Sequence, residues 1–328
     1  MHDDRGRSLV TEAPLRVGVL GCADIARRRM LPAFAACPAT RLVAVASRDA
    51  RTAQETARPY GCRAITGYEA LLAEPTVDAV YIPVPAALHA RWTRAALEAG
   101  KHVLAEKPLT LEPTTTAELF ALAARRRLAL MENVMFVQHP QHEAVRKLIA
   151  DRALGELRTL HAQFTVPRRP PGDIRYRADL GGGALWDTGV YPLRAALHLL
   201  GPDLTLLASH LSDPGGLGVP TAGTALFLHA ATSTTVTLAF GLDHAYRSEY
   251  TLTGSQATLD LSHAFTPQAT HVPRLLPGSP PLPPADQVAL SVAAFAAAAA
   301  QGRVVAEGAT VRQAELLAQI AAGYPAAR

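Results

Sequence analysis

The sequence predicts an α/β protein of two domains, the first built on a parallel sheet with helices on both faces. Three observations predict it. Short apolar strands alternate with helical stretches from Leu15 to Met131, the pattern of parallel sheets joined by right-handed crossovers. The first strand runs straight into a glycine turn at Gly21. From Glu156 onward, short β-type runs follow one another between Gly, Pro and Asp turns. That succession argues a second α/β domain with an antiparallel or mixed sheet, expected to be mostly antiparallel. The expected division is a polar tail over 1–13, a first domain over 14–131 and a second over 132–328.

Composition narrows the class. A chain of 328 residues can bury two sizeable cores, and 49% hydrophobic with 18% charged residues describes an ordinary globular protein. The formal charge is +4 and the basic residues are scattered among acidic ones. No basic tract with interleaved aromatics is present, so nucleic acid is not an expected partner. The cysteines are Cys22, Cys37 and Cys62, an odd number without metal-type spacing, which reads as reduced thiols in the cytoplasm and no metal site. Residues 1–13 lack the apolar core of a secretory signal. The most apolar segment, 289–300, is too short to span a bilayer and is interrupted by Ser291, so no membrane partner is expected.

Taken in order, Leu15–Leu20 is a buried strand by composition, followed by Gly21-Cys22-Ala23-Asp24-Ile25-Ala26. This is a loosened G-x-G-x-x-G, with alanines at the second and third glycine positions. The glycine permits a tight turn, and the small residues let backbone and helix approach a pyrophosphate. Alone the pattern is weak; opening an alternating strand and helix series, it marks a Rossmann-type dinucleotide site. The second strand, Arg41 to Ala46, ends in Ser47-Arg48-Asp49. A hydroxyl with a guanidinium suits a ribose 2′-phosphate, where a carboxylate would bind the free ribose hydroxyl, so NADPH is expected rather than NADH. The other reading makes Arg48 a solvated helix-start residue, with Ser47 or Asp49 capping.

Helices are expected around 50–57 and 68–73, a strand over Val77–Ile82 and a helix from Ala86 to Ala99. Pro83-Val84-Pro85 fixes a rigid turn at the carboxyl end of the sheet, where ligands of such folds bind. His89 follows, to contact a cofactor or cap the helix. The next strand ends in Ala105-Glu106-Lys107-Pro108. Charged residues are seldom buried unless paired, so the pair is either a solvated strand end or the lining of a cleft. Leu128–Met131 closes the first domain.

In the second domain, a helix is expected over Pro140–Ala150 and a long strand over Glu156–Val166. Later β runs lie near Leu204–His210, Ala222–Ala230, Thr234–Phe240, Glu249–Thr253 and Ala257–Leu261. A proline-rich surface loop spans Thr266–Ala285, and two Ala-rich helices end the chain. Between the long strand and these runs stand Asp173-Ile174-Arg175-Tyr176 and Gly181-Gly182-Gly183-Ala184-Leu185-Trp186-Asp187-Thr188-Gly189-Val190-Tyr191-Pro192. A helix over about 183–200 would put Asp187 and Tyr191, four apart, on one face. Gly189 and Pro192 are poor helix residues, so something other than propensity holds this turn. Spacing leaves open whether Tyr191 is a site residue or a core tyrosine whose hydroxyl is satisfied by Asp187.

With these pieces assembled, the sequence resembles the Gfo/Idh/MocA oxidoreductases. The resemblance rests on the turn at Gly21, the Glu106-Lys107-Pro108 triplet, and Gly182-Gly183-Ala184-Leu185 leading to Asp187 and Gly189. More narrowly, several runs are similar to the NDP-hexose 3-ketoreductases: Gly21-Cys22-Ala23 with Arg28-Arg29-Met30-Leu31-Pro32, Glu132-Asn133-Val134-Met135-Phe136, His139-Pro140-Gln141-His142, Asp173 to Tyr176, and Gly189 to Arg194. Many members of the broad family carry histidine where Tyr191 stands, whereas the ketoreductase branch carries tyrosine.

The resemblance implies NADPH-dependent reduction of the C-3 keto group of a dTDP-linked keto-deoxysugar. It implies Lys107 and Tyr191 as the catalytic pair over the nicotinamide, with Lys107 lowering the phenol pKa from its ordinary value near ~10. Asp187, Arg175 and Tyr191 would meet the sugar. The implied cofactor set is Gly21, Cys22, Ala23, Asp24, Ile25, Ser47, Arg48, Ile82, Pro83, Leu88, His89, Glu106, Lys107 and Asn133, with Met131 also near the nicotinamide or sugar. It also implies a homodimer or homotetramer formed through the open sheet. Two rival readings are a dehydrogenase of a free polyol or inositol, and a nicotinamide-binding sensor without catalysis.

Overall fold

A computed structural model describes residues 13–324; the polar tail expected over 1–13 lies almost wholly outside the described residues. The first sheet has six parallel strands, β1 Leu15–Leu20, β2 Thr40–Ser47, β3 Arg63–Thr66, β4 Ala79–Ile82, β5 His102–Glu106 and β6 Leu130–Asn133. Their spatial order is β3-β2-β1-β4-β5-β6, with every pairing parallel. This is the doubly wound order in which the chain reverses direction between β1 and β4, and ligands bind at the carboxyl ends there. Helices α1 Leu31–Ala36, α2 Ala50–Ala57, α3 Tyr68–Leu72, α4 Ala86–Glu98 and α5 Pro113–Arg126 cross over between strands. Covered on both faces, the strands read as continuous apolar runs: Val17, Val19, Leu20, Val80, Ile82 and Leu104 are wholly buried.

The second domain carries α6 Pro140–Ala150, β7 Leu157–Thr165, α7 Val190–Leu200, β8 Leu204–Ser212, β9 Ala222–His229, β10 Thr234–Gly241, β11 Arg247–Gly254 and β12 Thr258–Ser262. These strands form a six-stranded sheet in the order β12-β11-β7-β10-β9-β8. It is mixed: β7 and β10 pair parallel at its centre, and the other four pairings are antiparallel. Along β10, Val236, Leu238 and Phe240 are buried under the helices, and the alternating Thr235, Thr237 and Ala239 point to the other face.

Three features depart from expectation. Strand β3 and helix α5 stand where no element was expected. β3 is a four-residue edge strand rich in polar side chains, and α5 begins at Pro113, where a proline fits the first helical turn. The expected boundary at 131/132 falls inside β6. Helix α8 Gln287–Ala300 returns to the first domain, where Val288, Val292 and Phe295 share one core with Val17, Phe34 and Tyr81. The last helix, α9 Glu307–Ala322, packs against both α5 and α7, so the two domains are stitched by the end of the chain.

Two helices at the interface contain a π turn just before a proline: Ala26–Met30 before Pro32, and Leu185–Gly189 before Pro192. Proline offers no N–H and its ring collides with the carbonyl one α-turn earlier; the wider π turn relieves both. Gly189 sits in the second turn because a Cβ there would approach the Phe240 ring at 3.2 Å. This close approach to β10 holds the turn against its poor helix propensity.

Candidate active site

At the reversal between β1 and β4, a groove runs from the end of β2 to the start of α7. Its outer part, about 600 Å³, is lined by Gly21, Cys22, Ala23, Ser47, Arg48, Tyr68 and Pro83. The inner part, about 470 Å³, continues past Ala23 and Pro83–Pro85 to Asp24, Ile25, Glu106, Lys107, Arg175, Asp187 and Tyr191. The outer part fits the adenosine half of a dinucleotide. Gly21 has φ +120°, and a Cβ there would stand 3.4 Å from Val84 Cγ1 and 3.7 Å from the Tyr68 hydroxyl, closing the cradle. At the end of β2 the nearby carboxylate is already engaged: Asp49 accepts from the Thr52 N–H and hydroxyl, each at 2.7 Å, capping α2. Ser47, the exposed Arg48 and the Tyr68 hydroxyl are polar groups that face the groove.

Lys107 leaves the end of β5 through a cis peptide bond to Pro108 and is only 11% exposed. Its Nζ donates to the Asp187 carbonyl oxygen at 2.8 Å and to Asp187 Oδ1 at 2.9 Å. Pro192, just past the π turn, has no N–H to give the preceding carbonyls, and the Asp187 carbonyl is met by Lys107. The other Asp187 oxygen accepts from Arg175 Nε at 2.7 Å, and Arg175 in turn donates to Asp173. Burial alone would lower the Lys107 pKa, but Asp187 outweighs it and holds the ammonium above its ordinary range. Burial likewise works to raise Asp187, and Lys107 with Arg175 holds its carboxyl well below the usual carboxylate range. The third Lys107 N–H has no protein acceptor among the described residues.

Tyr191, in the first turn of α7, lies beneath that ammonium, with Lys107 Nζ 4.9 Å from its ring centroid. Its ring packs on Phe164 at 4.7 Å between centroids. Its hydroxyl has no hydrogen-bond partner among the described residues, so Asp187 does not satisfy it: that carboxylate is taken by Lys107 and Arg175. Lys107 lowers the phenol pKa as expected, but the net direction is the opposite of the one expected. Burial raises it above its ordinary value, and Lys107 opposes that without cancelling it. Tyr191 therefore stays protonated and keeps a proton to give.

Glu106 has a definite place. Its Oε1 accepts from the Tyr81 hydroxyl and from Asn133 Nδ2, both at 2.7 Å, and Asn133 accepts in turn from Ser291 of α8 at 2.7 Å. Three residues of the expected cofactor set, and Met131 with them, do not reach the groove as contacts. Ile82 is fully buried in the sheet, and Leu88 packs into the core beneath it. Asn133 is buried against Glu106, and Met131 beside it is also buried. His89 touches the groove wall, but its ring nitrogens each lie 2.7 Å from a carbonyl oxygen, of Val84 and of Pro108. Its ring is wedged between the two groove-lining loops, with the one N–H of the neutral imidazole given to a carbonyl, so it is turned away from a cofactor.

Residues that sequence reasoning did not single out also line the groove: Tyr68, Phe164, Arg169, Trp186 and Thr188. Phe164 was findable, being the last inward-facing residue of β7 after Leu160 and Ala162. Tyr68 and Arg169 sit on connections whose path no local pattern predicts. Among the described residues no group of three or more His, Cys, Asp or Glu side chains is placed to hold a metal ion, and no helix is long and apolar enough to cross a membrane.

Comparison with known proteins matches this architecture. Residues 15–134 match the family model described as "Oxidoreductase family, NAD-binding Rossmann fold", and residues 142–260 match the Gfo/Idh/MocA C-terminal domain. The chain is 50% identical over 323 residues to a dTDP-3,4-didehydro-2,6-dideoxy-α-D-glucose 3-reductase of Streptomyces violaceoruber, covering 94% of each. It is 48% identical over 290 residues to a reductase of the same description from Saccharopolyspora spinosa, covering 86% of this chain and 87% of that one. Among solved structures, KijD10, a 3-ketoreductase from Actinomadura kijaniata in complex with NADP and TDP-benzene, superposes with a TM-score of 0.90 at 44% identity, covering 95% of this chain and all of that one. The chain belongs to the Gfo/Idh/MocA family of oxidoreductases.

Proposed function

We propose that this protein reduces the C-3 keto group of a dTDP-linked keto-deoxysugar with NADPH, a step in deoxysugar biosynthesis for a natural product. The observation that carries the reading is the meeting of Lys107 and Tyr191 at the inner end of the dinucleotide groove, each with a polar hydrogen left for a substrate. The relatives' activity and the NADP bound by KijD10 support it.

When bound, NADPH supplies the hydride that the carbonyl carbon takes up. As negative charge develops on the carbonyl oxygen, the third Lys107 N–H bonds to it and the ammonium stabilises it. Tyr191 gives its phenolic proton to that oxygen, completing the hydroxyl, and regains one from solvent. Asp187 and Arg175 keep Lys107 charged and aimed, so the cation is in place before charge develops. Ser47 and Arg48 bind the 2′-phosphate of NADPH, and Gly21 with Ala23 lets the backbone approach its pyrophosphate. Arg175 and Asp187 border the space for the sugar.

The free thiols Cys22, Cys37 and Cys62 accord with a cytoplasmic enzyme. The second sheet's outer face, with Thr235, Thr237, Ala239, Leu226 and Leu228, is the surface through which the protein forms a homodimer or homotetramer. NADPH oxidation by purified protein, with the dTDP-linked 3-keto sugar in one arm and inositol or a free aldose in the other, tests the activity. Turnover of the nucleotide sugar alone is expected. Turnover of the free polyol alone, or NADPH binding with no turnover of either, overturns the reading.

A further inference from the structure

Among the described residues, the most deeply buried ion pair lies outside the groove and joins its two halves. Glu132 of β6 and Arg194 of α7 are in contact and almost fully buried, their side chains 1% and 4% exposed. Glu132 Oε1 also accepts from the backbone N–H of Leu109 and from Gln313 Nε2, each at 2.9 Å. Arg194 donates in addition to Gln313 Oε1 at 2.7 Å and to Thr310 Oγ1 at 3.0 Å. Leu109 is two residues past Lys107, and Arg194 is one helical turn past Tyr191. β6 pairs with β5 so that Glu132 lies beside Ala105. Successive strand residues point to opposite faces, so Asn133 steadies Glu106 on one face while Glu132 works on the other.

We propose that Glu132 is a positioning residue that sets Lys107 and Tyr191 in register through one buried carboxylate, which grips the chain just after Lys107 and the helix just after Tyr191. It touches neither cofactor nor substrate. The inference rests on the reading above for its effect on turnover, but the grip itself is read independently. A buried ion pair adds little net stability over an apolar replacement, whereas loss of one partner is costly. Because the pair spans the two domains and adds little net stability, its effect lies in the alignment it imposes.

The test uses the full-length protein loaded with NADPH and two variants. Glu132→Gln removes the charge, and Glu132→Asp keeps the charge but shortens its reach, which preserves folding if the first variant fails to fold. NADPH affinity, measured by fluorescence titration, is expected to stay within about threefold, because Gly21 and Arg48 are untouched. Turnover per NADPH-binding site is expected to fall roughly ten- to hundredfold, with KM little changed, since small misplacement of reacting groups is costly. Amide hydrogen exchange is expected to speed up together at Leu109 and across 190–197. A loss of melting temperature with unchanged turnover per NADPH site would mean a purely structural pair and overturn the proposal. So would faster exchange in only one of the two segments. If the wild type turns over no keto sugar, the proposed function fails, and the paired exchange response alone decides whether Glu132 holds both segments.

Discussion

Lys107 Nζ sits 2.8 Å from the carbonyl oxygen of Asp187 and 2.9 Å from its carboxylate, so one residue fixes the lysine through both backbone and side chain. Asp187 therefore does more than neutralise. Its carbonyl, within the π turn that precedes Pro192, accepts from the ammonium, and its carboxylate, held by Arg175, fixes the ammonium's direction.

Replacing Lys107 with Ala removes the cation and leaves Asp187 paired to Arg175. The rate is expected to fall roughly a hundredfold or more, the cost of losing a group that stabilises developing charge. NADPH affinity should change far less. Steady-state kinetics with a separate binding titration check this; an unchanged rate would move charge stabilisation elsewhere.

Pro192→Ala restores a backbone N–H and lets the π turn relax toward a regular helix, in which the N–H of residue 191 competes with Lys107 for the Asp187 carbonyl. The expected result is a drop in turnover of about tenfold with melting temperature unchanged or raised, because helix propensity improves by up to ~3 kcal/mol. Unchanged turnover would show that Lys107 does not depend on this carbonyl.

Arg48→Ala should weaken NADPH binding by roughly ten- to a hundredfold, as expected for a charge-assisted bond to phosphate, and leave NADH binding nearly unaltered. Comparative fluorescence titrations decide; equal loss for both cofactors would remove Arg48 from the 2′-phosphate.

Acid stability follows from two histidines in the second core. Burial pushes His142 down to about 3 and His198 down to about 4, whereas the unfolded chain titrates them near ~6.5. Below that pH the unfolded state binds protons that the native state refuses. Stability is full above about 6.5 and falls toward pH 4 by about 1.4 kcal/mol per pH unit for each histidine. Thermal melts between pH 7.5 and 4.5 should show the decline. His198→Leu, which also removes a buried ring nitrogen without a partner, should cut the slope by roughly half, leaving the His142 share; an unaltered slope would contradict the assignment.

Much of this was legible before any coordinates. The strands of both sheets were read within a few residues, except β3, because apolar runs bounded by turn residues carry their own signal. Lys107 and Tyr191 were legible as a pair only through resemblance, since their meeting depends on how two domains pack. The direction of the Tyr191 pKa was misread because the sequence shows the neighbouring cation and hides the burial that outweighs it. Asn133 was expected at the cofactor, but strand alternation sends it to Glu106 and its neighbour Glu132 to Arg194 on the opposite face. Ser291, which had read only as an interruption in an apolar helix, is the hydroxyl that holds Asn133.

Tyr191→Phe gives the most direct measurement of the central claim. Its hydroxyl makes no bond to the described protein, so the variant should fold, melt and bind NADPH like the wild type. With a dTDP-linked 3-keto-deoxysugar as substrate, the rate of NADPH oxidation should fall roughly a hundredfold, the worth of a positioned proton donor. Wild-type turnover in this variant would contradict the account of Tyr191 as the residue that protonates the new hydroxyl.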